Sequence, residues 1–129
     1  MDLDWISILD NLAEMVWIMT PEGHGIWVNK QYVRYFGGTY EEMVTQSKGW
    51  ELVHPDDLPR TVEAVTEWQK HNLEKELHYR LKRHDGVYLW HLARCTLIKH
   101  DNSNTVKYLI GTITNIHDQV GFILDYTSI

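Results

Sequence analysis

Within Gly49-Trp50-Glu51-Leu52-Val53-His54-Pro55-Asp56-Asp57-Leu58-Pro59-Arg60 the chain announces a long helix. Asp56 or Asp57 can accept the free backbone N–H groups of a helix that starts just after them. Pro59 then falls in the first turn, where its missing donor costs little. Leu58, Val62, Val65 and Trp68 share one helical face, and the spacing predicts a helix that ends around His71 or Asn72.

Upstream, Trp5, Ile6, Leu9 and Leu12 recur at helical spacing, which predicts a short amphipathic helix within residues 3 to 14. Met15 to Met19 is an apolar run of strand length. Pro21-Glu22-Gly23-His24-Gly25 closes it, with two glycines available for positive φ, and Ile26-Trp27-Val28 reads as the returning strand. Two or three short helices should follow. Residues 29 to 36 carry Tyr32, Val33, Tyr35 and Phe36 up to Gly37-Gly38, and Thr39 with Glu42 three residues on offers a capping box.

Downstream of the long helix, Leu77, Tyr79 and Leu81 alternate with His78, Arg80 and Lys82 up to a turn at Asp85-Gly86. Leu89, His91, Ala93, Cys95 and Leu97 then alternate with Tyr88, Trp90, Leu92, Arg94 and Thr96. A polar loop from His100 to Asn104 leads into a last strand from Val106 to Ile116. The order β-β, helices, β-β-β predicts an α+β fold, an antiparallel sheet with helices packed on one face. No repeat or linker divides residues 1–129, which read as one domain.

Composition narrows the functional classes. The 129 residues, 43% hydrophobic and 23% charged, suit a globular domain rather than a disordered one. A net charge of −6 and a pI near 5.7 lack the footprint that nucleic acid needs. The one basic cluster, Arg80, Lys82, Arg83 and His84, reads as the polar end of a hairpin. A single cysteine, Cys95, excludes an internal disulfide and a multi-cysteine zinc site, and points to a reducing cytoplasm. No apolar run reaches the roughly 18 residues of a membrane span, so no membrane contact is expected. The acidic opening, Asp2 and Asp4, is unlike a signal peptide.

Catalytic signatures are missing as well. The chain has no Gly-rich phosphate loop, no nucleophile elbow and no H-E-x-x-H. Its eight histidines are scattered: His78 and His91 should face opposite sides of the sheet, and His84 and His100 fall in turns. No metal site and no catalytic residue is expected, and the domain reads as non-enzymatic on its own.

Three segments, in order, resemble the PAS family. Trp50 to Asp57 is similar to its "W-x-x-x-H-P-D-D" helix start. Tyr79 to Trp90 is similar to its "Y-R-x-x-x-x-D-G-x-x-x-W" hairpin, and Gly111 to Ile116 to its last strand, "G-x-x-x-D-I". Asp10 to Trp17 and Val28-Asn29 also fit the opening hairpin, so the resemblance runs from about residue 8 to 118. It implies a five-stranded antiparallel sheet of order 2-1-5-4-3, with residues 1–7 starting an N-terminal helix and 119–129 forming an exit segment. The subtype is that of bacterial and archaeal sensor histidine kinases. It further implies a sensory signal-transduction domain, one part of a larger two-component or cyclase protein, that binds a small ligand or a partner and relays its state to an output domain in the same parent chain. A homodimerisation module with a packed core is the alternative, as is a redox sensor carrying FAD or haem.

The resemblance places the residue after the strand-four Trp, here His91, in the pocket. Period two then puts Leu89, Ala93 and Cys95 on the same face, joined by Leu77, Tyr79, Leu81, Ile113 and the helical Trp68. His91 is either a neutral histidine paired with a tyrosine or a carbonyl, or a ligand contact, with Tyr79 as its expected partner. A flavin adduct would need a cysteine on the helical side, and Cys95 lies on a strand. Haem would want an inward histidine from the long helix, where only His71 stands. The opposite face carries Tyr88, Trp90, Leu92 and Ile110, an expected interface covered by the N-terminal helix with Trp5 and Leu9, by its copy in a second subunit, or by both. Asn115 replaces the family's usual last-strand Asp, so an ion pair there is unavailable.

Overall fold

The computed structural model describes residues 3–71 and 76–117. Helix α1 (Trp5–Asp10) precedes the hairpin β1 (Met15–Met19) and β2 (Gly25–Val28). Four helices follow: α2 (Lys30–Phe36), α3 (Tyr40–Val44), α4 (Gln46–Leu52) and α5 (Leu58–His71). Strands β3 (Glu76–Lys82), β4 (Tyr88–Lys99) and β5 (Val106–Asn115) complete one antiparallel sheet of order β2-β1-β5-β4-β3. Fold class and strand order agree with expectation. Among the described residues no helix is long and apolar enough to cross a membrane. The expected exit segment, 119–129, lies outside the described residues.

Register turns the alternation into rows across the sheet. Met15, Ile113, Ala93 and Leu77 are successive cross-strand partners, and all four are buried on the inner face. The next row in one direction is Trp17, Gly111 and Cys95; in the other it is Asn115, His91 and Tyr79. Tyr32 and Phe36 of α2, Met43 of α3, Leu52 of α4 and Trp68 of α5 close over these rows to form the core. Gly111 is required by the packing. A Cβ there would sit 2.1 Å from Cζ2 of Trp17, whose indole lies flat across the glycine.

Helix ends follow the sequence closely. Thr39 and Glu42 form the reciprocal capping box, and Gly37 ends α2 in the left-handed region at φ 79°. Asn29 caps α2 and does more. Fully buried, its Oδ1 accepts from the N–H groups of Val16 and Tyr32, and its Nδ2 donates to the carbonyls of Leu9 and Glu14. One side chain thereby ties α1, β1 and α2 together.

Four local expectations are corrected. Helix α1 ends at Asp10, leaving Leu12 exposed outside it, because Asn11 turns its backbone N–H to Ser7 and Ile8 and closes the helix. Val62 faces solvent, since the buried stripe of α5 runs through Thr61, Val65 and Trp68, and position 62 lies about 100° round from Thr61. Gly23 alone of the hairpin glycines takes positive φ; Gly25 is needed because a Cβ would meet the carbonyl oxygen of Val44 at 1.7 Å. The Asp57 carboxylate pairs with Arg60 of its own helix at 3.4 Å but binds chiefly to β3. Its Oδ2 accepts from Arg80 N at 2.8 Å and Nε at 2.9 Å, and its Oδ1 from Nη2 at 2.9 Å. A fork of guanidinium donors plus a backbone N–H satisfies a buried carboxylate better than a helix end can. With His54 N–H donating to Arg80 O and Val53 bridging Leu81, the His-Pro-Asp-Asp and Tyr-Arg segments are sewn to each other.

Candidate functional site

Between the inner sheet face and the helices lies a cavity of about 120 Å³. Trp17, Met19, Leu109 and Ile113 line it from β1 and β5, and Leu77, Tyr79, Leu81 and Ala93 from β3 and β4. Tyr32, Met43, Trp50, Leu52, Thr61, Val65 and Trp68 close it from the helices. Leu77, Tyr79, Leu81, Ala93, Ile113 and Trp68, all expected from the sequence, are therefore brought together. His91, Leu89 and Cys95 are not. Cys95 shares the inner face, but its cross-strand neighbour is Gly111, and the Trp17 indole forms the wall in that row. His91 lies two residues beyond Ala93, under α2, and Leu89 lies two further along the same strand.

Among the described residues the lining holds no Asp, Glu, Lys, Arg or His. Its polar groups are few. Thr61 Oγ1 donates to Asp57 O and Thr45 Oγ1 to Glu42 O, each at 2.7 Å, so both threonine protons stay within their own helical turns. The indole N–H groups of Trp17, Trp27, Trp50 and Trp68 and the phenols of Tyr32 and Tyr79 remain. Burial pushes the Tyr32 hydroxyl up to about 12, and burial with the neighbouring Tyr32 pushes Tyr79 up further, so both present O–H groups at any physiological pH.

His91 is completely buried, and its partner is Tyr35 rather than the expected Tyr79. Tyr79 is its register partner on β3, but Tyr35 reaches down from α2 to meet the ring edge-on. The protons in this cluster can be placed from the partners. Nδ1 lies 2.7 Å from Leu89 O, which can only accept, so Nδ1 carries the hydrogen. Nε2 then accepts from the Tyr35 O–H at 2.6 Å. Tyr35 Oη accepts from Asn115 Nδ2 at 3.0 Å, and Asn115 Oδ1 accepts from His117 N at 2.9 Å. Burial is the main reason the His91 pKa falls from 6.5 to about 4; the hydrogen bond to the Leu89 carbonyl opposes it, and the charges of His117 and Arg83 assist. The cluster is thus a neutral chain of hydrogen bonds from α2 through β4 to the end of β5. Asn115 takes part in it as an amide donor and acceptor, not as half of an ion pair.

Sequence reasoning missed Tyr35 as a site residue. Its signal was its place three residues after Tyr32, so that one helix turn presents one phenol to the cavity and the next to the sheet end. The Asp57–Arg80 pair was also missed. It holds the Asp57 carboxyl down to about 2, chiefly through the Arg80 guanidinium.

On the outer face Tyr88, Trp90, Leu92 and Ile110 are each half-buried. The Arg80 guanidinium lies 5.2 Å from the Trp90 ring centre, and the His54 ring meets Tyr88 edge-on at 4.7 Å. The expected cover by the chain's own α1 is corrected. Asn29 holds the Leu9 carbonyl and Asp10 accepts from Lys30 N, so α1 is anchored at the β2–α2 corner, buries none of its side chains and leaves Trp5 64% exposed. His71, the one histidine on α5, turns outward to Glu67 at 3.2 Å and takes no part in the cavity.

A family model described as "PAS fold" matches residues 25–113. The chain is 29% identical over 116 residues to the peroxide stress-activated histidine kinase mak1 of Schizosaccharomyces pombe, a match covering 87% of this chain and 7% of the kinase. It is 33% identical over 93 residues to mak3 of the same organism, covering 67% of this chain and 4% of that kinase. The chain therefore spans only a small part of these relatives. Among solved structures, the N-terminal domain of a diguanylate cyclase with PAS/PAC sensor from Marinobacter aquaeolei superposes with a TM-score of 0.72 at 20% identity, over 82% of this chain and 97% of that one.

Proposed function

Because the chain belongs to the PAS fold family, we propose that it is the sensory part of a signalling protein, taking a small molecule into its cavity and relaying occupancy to an output domain. The observation that carries this reading is the position of α2. Tyr32 lines the cavity, and Tyr35 one turn later is hydrogen-bonded to His91 and Asn115, where β5 ends. An occupant that moves Tyr32 moves Tyr35 with it, because both are fixed to one rigid helix turn, and the hydrogen bonds at the sheet end must adjust. The histidine kinase relatives support a kinase as the output, and the sensory domain itself performs no catalysis. A cavity of about 120 Å³ favours a small molecule over FAD or haem, since drug-sized ligands occupy roughly 300–1,000 Å³.

A second copy of the chain is the proposed partner. Trp5 and Ile6, 64% and 61% exposed on a helix with no fully buried side chain, favour self-association through α1. Native mass spectrometry of the freshly purified chain, paired with a near-ultraviolet and visible absorbance scan, tests both parts. A retained small mass and a dimer are expected. A monomer with no retained mass that also fails to take up small molecules in titration would contradict the reading.

A further inference from the structure

We infer that the cavity selects a compact uncharged molecule, of no more than about seven non-hydrogen atoms, that offers one hydrogen-bond acceptor to the hydroxyls of Tyr32 and Tyr79. The inference rests on the sensory reading above and adds the chemical class of the ligand. Size comes from the volume: about 120 Å³ is somewhat less than the ~150 Å³ apolar cavity that admits benzene. Neutrality comes from the lining. Among the described residues no ionisable side chain other than the two tyrosines faces the cavity, and an unpaired ion moved there from water would lose its hydration without a counter-charge.

The acceptor follows from hydrogen-bond accounting. Tyr32 and Tyr79 are 8% and 9% exposed, and among the described residues neither hydroxyl has a hydrogen-bond partner. No side-chain oxygen among those residues is sealed off without a partner, so the free space at these two hydroxyls is the cavity they line. Both phenols hold their protons, as burial dictates. Two hydroxyl donors, with only indole N–H groups as further side-chain donors among the described lining residues outside the internally bonded threonines, therefore line a largely apolar site, which suits a ketone, aldehyde or alcohol oxygen on a compact apolar body. A hydrocarbon of the same shape would leave both donors without that bond.

The test is a titration of the whole chain, followed by the methyl resonances of Ala93 and Val65, with four probes. Cyclohexanone is the neutral acceptor, and methylenecyclohexane is its hydrocarbon isostere. Cyclohexylammonium and butyrate are the charged probes. Cyclohexanone should bind about tenfold more tightly than methylenecyclohexane, and the preference should fall to about threefold or less in Tyr79→Phe and in Tyr32→Phe. Neither charged probe should shift the methyls. Equal binding of the two neutral rings, or binding of a charged probe as tight as the ketone, overturns this inference and leaves the sensory reading standing. Failure of both neutral rings to bind overturns both. Should either phenylalanine variant lose its near-ultraviolet circular dichroism, the comparison of probes on the unmodified chain decides alone.

Discussion

Acidification should destabilise this protein through His91 before its carboxylates take part. The ring is fully buried and both nitrogens are already paired, so the native state resists taking up a proton. Its pKa falls from 6.5 to about 4. Above 6.5 neither the native nor the unfolded chain is protonated here, and the stabilisation is fully present. Between the two values the unfolded chain gains a proton that the native chain refuses, so stability is lost as pH falls, and the loss is complete once the native ring titrates. The whole effect is about 3 kcal/mol at roughly 1.4 kcal/mol per pH unit, and about 2 kcal/mol of it is gone by about pH 5. Asp57 and Asp85, both lowered from 3.8 to about 2, act only below this window. Urea denaturation of the unmodified chain and of His91→Gln at about pH 7.5 and about pH 5 isolates the site, because the other histidines are common to both proteins. The unmodified chain should lose about 2 kcal/mol more than the variant between the two conditions. Equal losses would refute the assignment of a buried neutral His91 as the acid-sensitive element.

Three further substitutions probe the ties that shape the site. Asn29→Ala removes four hydrogen bonds from a fully buried side chain and should cost about 3 kcal/mol in chemical denaturation; a loss under about 1 kcal/mol would show that water replaces them. Asp57→Asn weakens the Arg80 fork and should cost about 2 kcal/mol near neutral pH, with less difference from the unmodified chain as pH drops below 3.8 toward about 2, where the native carboxylate itself titrates. A difference that persists unchanged at low pH would contradict the ionic origin of that cost. Gly111→Ala drives a methyl into the Trp17 indole and should cost about 1–3 kcal/mol, with a shift in tryptophan emission; unchanged emission and stability would mean that the indole does not rest on Gly111.

Much of this architecture was legible because alternation and helix ends are local signals. Leu77, Tyr79 and Leu81 share one face by period two, as Ala93 does with His91, the family resemblance set which face is inward, and the Thr39–Glu42 capping box followed from spacing alone. What the sequence could not show is where a face ends. Ala93, His91 and Cys95 share one face of one strand, yet only Ala93 meets the cavity. Cys95 is shut out by an indole from another strand and His91 by a phenol from a helix, and both contacts join residues distant in the chain. Asp57 misled for a similar reason. Its position suited a helix cap, and the stronger claim came from Arg80, 23 residues away. On the outer face the sequence did not show that Arg80 and His54 lie against Trp90 and Tyr88, because these contacts too join residues distant in the chain or on neighbouring strands.

The central claim is that cavity occupancy is felt at the end of β5, and amide NMR tests it most directly. Backbone and side-chain amide spectra of the chain should be recorded with and without saturating cyclohexanone. Shifts are predicted at Tyr32 and Tyr79, and also at Tyr35, the Asn115 side-chain amide and His117, where the hydrogen-bonded chain from α2 arrives. Shifts confined to the cavity lining, with Asn115 and His117 unmoved, would contradict the account.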